Sequence, residues 1–540
     1  MFSPGRGCNA GKLNYRSVDY EMGRSRLVVL ALDAADSRMV RKWAGEGCLP
    51  TMARLLTANE VLSIETPAGV LEGAIWPTLY TSTSPATHGM YAYLQITPGT
   101  YDMRLGLRAD RLPFPPFWDF LSRAGLRVAV IDAPLTRPLG NLNGIQVVNW
   151  GAHDGAWSWK RSSRPRGLID EVLMRFGEHP APATCDSPNY SVRADFDFEE
   201  LRKSLFLGIE KKSALLSHFL KTGEWDFFFG VFSESHCLGH QFWHFMDSRH
   251  PRYNSKATES LKSSIKDGYT AIDSALGTLL ENRSSDTQTM ILLSHGMGPY
   301  FHGTHLLDEI LERLDINGPQ PTHVISSHGV RKSIWELKKI VPKTVRHGLN
   351  SGISGRLFNS LWHWSHPAFN PWPQMRAFQV PANAMTGAIR VNLEGREPNG
   401  KVKQGREYRS LLDRLSEALM ELENPETGKN AVEWVAEAGE LFQGPRLSEL
   451  PDLFVEWDHN TAIRSLRSTR IGTVTGGSPR TQRTGSHWAG GLLLGAGAQF
   501  KKPVLDGPAR VVDIAPTILN FFGVPRPAFY EGQSLFEARS

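Results

Sequence analysis

Continuous apolar segments that end in a polar or ionisable residue constrain the fold of this chain more than any other feature. They occupy residues 26–33, 127–132, 225–233 and 289–295. An uninterrupted apolar run of this length is typical of a parallel strand that is buried on both faces. Helical periodicity separates the runs, as in the leucines and isoleucines of residues 261–280. The alternation predicts an α/β fold with a doubly wound, mainly parallel sheet and helices on both faces.

The length of 540 residues exceeds that of one ordinary domain, so we expect a core with insertions. Residues 1–25 are polar and lack the apolar stretch of a secretory signal, which predicts a disordered leader. Residues 318–469 open with a basic, tryptophan-rich stretch and continue with mixed strand and helix patterns. They predict an inserted α+β cap, whose basic part either covers the core or binds a membrane surface or partner. Residues 26–317 and 470–540 are then the two parts of the core.

Composition excludes several functional classes. A formal net charge of +5 is small for this length and does not indicate nucleic-acid binding. The four cysteines are widely spaced and form no CxxC pair, so we expect neither a disulfide framework nor a cysteine zinc site. A reducing, cytoplasmic location is the corresponding expectation. No run of about 18 apolar residues occurs, so no transmembrane segment is expected.

Candidate metal ligands follow the predicted strands. Asp33 ends the first apolar run, at the edge where open α/β sheets bind ligands. His236 and His240 are four residues apart, so a helix would place both on one face as a chelating pair. His295 follows another strand, and His487 lies near the end of the chain. Singly, the acid is equally explained as a helix cap and the histidine pair as packing; together they predict a divalent-metal site, for which imidazole donors favour zinc.

Four further polar residues are candidates for substrate binding: His153, Asp154, His302 and Arg376. The guanidinium could clamp an anion through two parallel hydrogen bonds. Ordinary loop hydrogen bonds or a surface salt bridge explain the same residues without a substrate.

The order of several short motifs along the chain adds to the prediction of a metal site. They are LDAAD at 32–36, LPTMARLL at 49–56, WPTLYTSTSPATHG at 76–89, residues 236–243, SHGMGP at 294–299, GREP at 395–398, His487 and DIAP at 513–516. The series resembles the type I phosphodiesterase/nucleotide pyrophosphatase group of the alkaline phosphatase superfamily, and especially its predicted phosphohydrolase or phosphomutase branch. The resemblance implies a metal-dependent hydrolase of small-molecule phosphoesters.

The resemblance also implies two adjacent metal positions. The first would be held by the residues at 236, 240 and 487, and the second by those at 33, 294 and 295 together with the nucleophile at 72. The chain departs from the family pattern at three of these positions. His236 and Ser294 stand where aspartates are usual, and Glu72 stands where the family has a threonine or serine nucleophile. The nearest hydroxyl is that of Thr78.

Three functions stay open at this point. The altered site could hydrolyse a phosphoester through metal-activated water, with Glu72 as a ligand or a general base. The chain could instead bind a phosphorylated or sulfated ligand without turnover, because it lacks two carboxylates and the nucleophile. It could also transfer a phosphoryl group as a mutase, since one fold supports both chemistries. One or two metal ions are compatible with the sequence.

Overall fold

The computed structural model describes most of the chain; the Glu72 side chain is outside what it describes, although the Glu72 backbone is included. The described residues are 25–106, 110, 112–151, 160–181, 197–283, 286–314, 316, 372–382, 385–479, 481–500, 503–504 and 507–537. The predicted leader up to residue 24 and the basic, tryptophan-rich stretch at 318–371 lie outside these ranges, as do His153 and Asp154.

A nine-stranded sheet forms the centre of the molecule. In spatial order its strands are β21 (Ala509–Arg510), β2 (Glu60–Glu65), β20 (Gly491–Ala496), β9 (Thr287–Leu293), β1 (Arg26–Leu32), β8 (Phe227–Phe232), β5 (Val128–Ile131), β6 (Gly144–Val148) and β7 (Ser162–Arg164). Five of the eight neighbouring pairs are parallel, and the antiparallel ones are β20–β9, β2–β20 and β6–β7. The prediction of a mainly parallel sheet is therefore confirmed.

Helices cover both faces of this sheet. The described α-helices are α1 (Ser37–Gly45), α2 (Pro50–Ala58), α3 (Leu71–Thr81), α4 (Pro85–His88), α5 (Phe117–Arg123), α6 (Leu168–Phe176), α7 (Phe198–Thr222), α8 (Glu234–Met246), α9 (Glu259–Glu281), α10 (Leu307–Arg313), α11 (Arg406–Met420), α12 (Ala438–Leu441) and α13 (Ile514–Phe521). Within the described ranges, we find no helix with the length and apolar character needed to cross a membrane.

Alternate residues of β1 belong to two separate cores. Val28, Leu30 and Leu32 pack with apolar side chains of α1, α2 and α6–α9. Leu27, Val29 and Ala31 pack on the opposite face with α3, α5 and α13. Because successive side chains of a strand point to opposite faces, a strand buried on both sides needs apolar residues at every position. This explains the continuous apolar run in the sequence.

Two antiparallel sheets lie apart from the central one, and all their strands except the one at 472–475 come from the predicted cap. The first contains β11 (Ala377–Gln379), β12 (Gly387–Val391), β16 (Leu453–Trp457) and β15 (Val432–Glu437), and the second β14 (Lys429–Asn430), β13 (Glu423–Asn424), β17 (Ser465–Ser468) and β18 (Gly472–Thr475). Phe378 and Phe454 of the first sheet pack against Val70 and Ala74 of the core. The domain boundaries at 318 and 470 stay a prediction.

Two short pairs of antiparallel strands complete the strands that the structure describes. They are β3 (Leu94–Ile96) with β4 (Met103–Leu105), and β10 (Gly296–Pro299) with β19 (Gly485–Trp488). The second pair joins the end of the first core part to the C-terminal part, and it borders the site described next.

Candidate metal centre

Helix α8 places two imidazoles side by side. It begins directly after β8, at the carboxyl end of a central strand, and His236 and His240 lie one turn apart on it. Their Nε2 atoms are 3.1 Å apart, and both side chains are buried. The four-residue spacing therefore predicts that the two side chains lie on one face of the helix, as the structure shows.

Strand β19 brings His487 to the same point. It pairs antiparallel with β10, with His487 opposite Met297. The absence of a side chain at Gly485 permits this approach, because a Cβ there would lie 2.2 Å from the carbonyl oxygen of Gly239 on α8. His240 Nδ1 donates a hydrogen bond to the Gly485 carbonyl oxygen at 2.7 Å. That bond places the ring proton on Nδ1 and leaves the lone pair on Nε2.

The three imidazoles form a compact donor set. One nitrogen from each of His236, His240 and His487 lies within 4.8 Å of the others, and within the described ranges this is the single group of three or more such ligands. Zinc–nitrogen bonds of about 2.0–2.1 Å in a tetrahedral site place ligand nitrogens about 3.3 Å apart. The observed spacing therefore fits a transition-metal ion after small side-chain adjustments.

Burial also favours the neutral, ligand-competent form of two of these rings, those of His240 and His487. It lowers the pKa of His240 well below its ordinary value, with smaller effects from Arg483 and the neighbouring histidines. Burial likewise lowers the pKa of His487, followed by the charges of His295 and Arg483. A metal binds the unprotonated imidazole, so His240 and His487 need no deprotonation near neutral pH.

A hydrogen-bonded group adjoins the cluster at the ends of β1 and β9. Trp76 Nε1 donates to Asp33 Oδ1 at 3.0 Å, and the Ser294 hydroxyl lies 3.4 Å from the same oxygen. Ser294 Oγ is also 2.9 Å from His295 Nδ1, and the His295 ring is centred 4.6 Å from that of His487. All five predicted metal-site residues are thus brought together, while their roles as ligands stay a prediction.

The helix cap that could have explained Asp33 is supplied by a different residue. Asp36 precedes α1 and accepts hydrogen bonds from the backbone N–H groups of Arg38 and Met39. Asp33 therefore does not cap α1, and it lies at the carboxyl end of β1, where open α/β sheets bind ligands.

Glu72 is the second residue of α3. The position of its side chain is outside what the structure describes. Trp76, which contacts Asp33, lies one turn later on the same helix. Glu72 thus precedes Trp76 by four residues in α3.

Thr78 has a structural partner. Its Oγ1 lies 3.0 Å from Nε2 of His88, and His88 Nδ1 accepts a hydrogen bond from the Met90 backbone N–H. Burial, with a smaller effect from Arg446, lowers the pKa of His88 to about 3. The neutral ring therefore carries its proton on Nε2 and donates it to Thr78, so His88 cannot act as a base toward this hydroxyl. The predicted catalytic role of Thr78 receives no support from this geometry.

A cavity of about 300 Å³ lies between the core and the first cap sheet. It is lined by Thr66, Ala68, Gly69, Leu71, Trp488 and Ala489 from the core, and by Glu433, Trp434, Glu456, His459 and Asn460 from the cap. Two of its lining residues, Leu71 and Trp488, are the sequence neighbours of Glu72 and His487. None of these cap residues was predicted from the sequence, where no motif marks them.

One wall of the cavity carries an ion pair. His459 Nε2 lies 2.7 Å from Glu456 Oε1, and its Nδ1 lies 3.1 Å from the Phe301 carbonyl oxygen. Although burial opposes it, the hydrogen bond and charge of Glu456 raise the pKa of His459. With an acceptor at each ring nitrogen, His459 is suited to the protonated form.

The remaining predicted substrate residues occupy the cap or its border. His302 is buried, its Nδ1 accepts a hydrogen bond from the Thr304 N–H at 3.2 Å, and burial lowers its pKa well below the ordinary value. Arg376 forms a part-exposed salt bridge of 2.8 Å with Glu407. Substrate binding by either residue stays a prediction.

Comparison with known proteins gives a family match. The sequence model of the type I phosphodiesterase / nucleotide pyrophosphatase family matches residues 27–478. Among solved structures, phosphonoacetate hydrolase from Sinorhizobium meliloti 1021 has 12% identity and a TM-score of 0.47, over 91% of this chain and 94% of that chain. Murine ectonucleotide pyrophosphatase / phosphodiesterase 5 has 11% identity and a TM-score of 0.45, over 95% and 100%. No curated protein matches the chain.

Proposed function

Since the chain belongs to the type I phosphodiesterase / nucleotide pyrophosphatase family of phosphoester hydrolases, we propose that it cleaves a small-molecule phosphoester with the help of a divalent transition metal. His236, His240 and His487 would hold the ion, and zinc is the metal that three imidazoles favour. The observation that supports this proposal most strongly is the approach of their nitrogens to within 4.8 Å of one another.

The residues around the proposed metal position suit an ion that acts as a Lewis acid. When bound, a divalent ion polarises a phosphoryl oxygen and lowers the pKa of water that it binds. Three neutral imidazoles leave the charge of such an ion uncompensated, unlike the carboxylate that the family pattern has at position 236. The Gly485 carbonyl oxygen fixes the orientation and tautomer of His240.

Glu72 is proposed as the general base. It lies in the first turn of α3, where the helix dipole and free N–H groups favour a negative charge. Glu72 would take a proton from the attacking water as the new O–P bond forms. The P–O bond to the leaving alcohol then breaks, and the alkoxide takes a proton from solvent. This sequence needs no covalent adduct on a hydroxyl side chain.

The cavity between core and cap is proposed as the site of one substituent of the phosphoester. This proposal is supported by two lining residues, Leu71 and Trp488, which are the sequence neighbours of Glu72 and His487. Trp434 and Trp488 offer apolar surface, and the Glu456–His459 pair offers a polar wall. A substituent with an apolar body and a few hydrogen-bonding groups suits this lining.

Metal content and turnover measured on the same purified full-length samples test the proposal. We expect bound zinc and hydrolysis of bis-p-nitrophenyl phosphate in the parent chain, and loss of both in His236→Ala, His240→Ala and His487→Ala. His244→Ala is the matched control, because His244 is a buried residue one turn further along α8 whose Nδ1 contacts Thr484 Oγ1 at 3.1 Å. It should keep its metal.

Two other results would change the conclusion. A chain that holds zinc and binds a phosphodiester without turnover would be a ligand-binding member of the family. A folded parent chain without any bound metal, or three alanine variants that all retain it, would contradict the proposed centre.

A further inference from the structure

We propose that the second metal position implied by the family resemblance is lost in this chain, so that the centre binds one ion. The inference rests on the proposed function, because it concerns the same site. The residues of the second position are Asp33, Ser294 and His295, and hydrogen bonds engage the Ser294 hydroxyl, Asp33 Oδ1 and His295 Nδ1.

The Ser294 hydroxyl uses all of its hydrogen-bonding capacity. The backbone N–H of Ala34 donates to Oγ at 3.3 Å, and Oγ lies 2.9 Å from His295 Nδ1 and 3.4 Å from Asp33 Oδ1. A serine hydroxyl has one proton and two lone pairs. The charged carboxylate is the stronger acceptor for the proton, so both lone pairs accept, one from Ala34 and one from His295. No lone pair of Ser294 is then left for a cation.

The facing oxygen of Asp33 is occupied in a similar way. Oδ1 accepts from the Trp76 indole N–H at 3.0 Å as well as from Ser294. The backbone of Asp33 is held too, since Ser235 Oγ donates to its carbonyl oxygen at 2.6 Å. Asp33, Trp76 and Ser294 are all buried. Neutral donors on rigid elements, rather than a second ion, therefore stabilise the charge of Asp33.

Electrostatics point in the same direction. Two divalent ions in a shared site lie about 3.5–4 Å apart, and carboxylate ligands offset their repulsion. In this chain the two positions where the resemblance implies aspartates carry His236 and Ser294, which are neutral ligand types. The first position keeps three imidazoles and can hold an ion, whereas the second keeps a single hydrogen-bonded carboxylate and His295.

Metal stoichiometry tests this inference directly. The full-length chain would be loaded with excess Zn²⁺, freed of unbound ion by gel filtration, and assayed by elemental analysis and by titration calorimetry. We expect one zinc per chain, lost in His240→Ala. Two zinc ions per chain would overturn the single-ion inference and leave the proposed function standing. No zinc would overturn both, so the two failures are distinguishable.

Substitution of Ser294 tests the cause. Ser294→Asp restores the carboxylate of the family pattern and should raise the stoichiometry from one to two zinc ions per chain. Ser294→Asn has a similar size without the charge and should stay at one. Melting curves with and without Zn²⁺ show whether each variant folds. A folded Ser294→Asp chain that still binds one ion would contradict the role assigned to Ser294.

Discussion

The buried pair of His88 and Thr78 makes the stability of the protein depend on pH below 6.5. Burial lowers the pKa of His88 from 6.5 to about 3 in the folded chain, while the unfolded chain keeps the ordinary value. Between these two values the unfolded state binds a proton that the folded state does not. Folding stability is therefore unaffected by His88 above pH 6.5 and falls as the pH decreases toward 3. At pH 5 the loss is about 2 kcal/mol, from about 1.4 kcal/mol for each pH unit.

The assay compares urea unfolding at pH 7 and pH 5 in the parent chain and in His88→Gln. The glutamine cannot be protonated, so the decrease in unfolding free energy between the two pH values should be about 2 kcal/mol smaller in the variant. His218→Gln is the control, because His218 is only part-buried and its pKa is less strongly lowered. Equal pH dependence in the parent chain and His88→Gln would refute the assignment of a neutral, buried His88.

Two further pairs of substitutions test the chemistry and the stability separately. Glu72→Gln should reduce phosphodiester turnover at least about a hundredfold, the low end for a general base, whereas Thr78→Ala should have a much smaller effect; the reverse pattern in steady-state kinetics would identify a hydroxyl nucleophile. Lys212→Met should lower the unfolding free energy by about 3–5 kcal/mol, because it leaves the fully buried Asp132 carboxylate without its cation. Adding Asp132→Asn should recover part of that loss in thermal melts, and a Lys212→Met chain as stable as the parent would contradict the importance of this pair.

The central sheet could be predicted because strands that are buried on both faces have uninterrupted apolar sequences. The apolar runs at 26–33, 127–132, 225–233 and 289–295 correspond to β1, β5, β8 and β9, which are buried on both faces. Strand β2, second from one edge, has the mixed sequence EVLSIE, with residues of both exposed and buried character, and no pattern predicts it. Its place depends on pairing with β20, more than 400 residues later.

The candidate centre was predictable in its residues but not in its contacts. The His236–His240 spacing is a local property of a helix. The position of His487 depends on β19, a four-residue strand (GSHW) whose partner β10 lies about 190 residues earlier, so no local pattern marks it. The cavity wall contributed by Glu456 and His459 depends in the same way on the packing of cap against core. Long-range contacts, rather than periodicity, determine these features.

An anomalous-scattering experiment at the zinc absorption edge tests the central claim most directly. Crystals of the full-length chain grown with Zn²⁺ should show an anomalous peak about 2.0–2.1 Å from one nitrogen of each of His236, His240 and His487. A peak that contacts none of these three imidazoles, or zinc-loaded crystals with no peak beside them, would contradict the account of a metal-dependent phosphoester hydrolase built on this cluster.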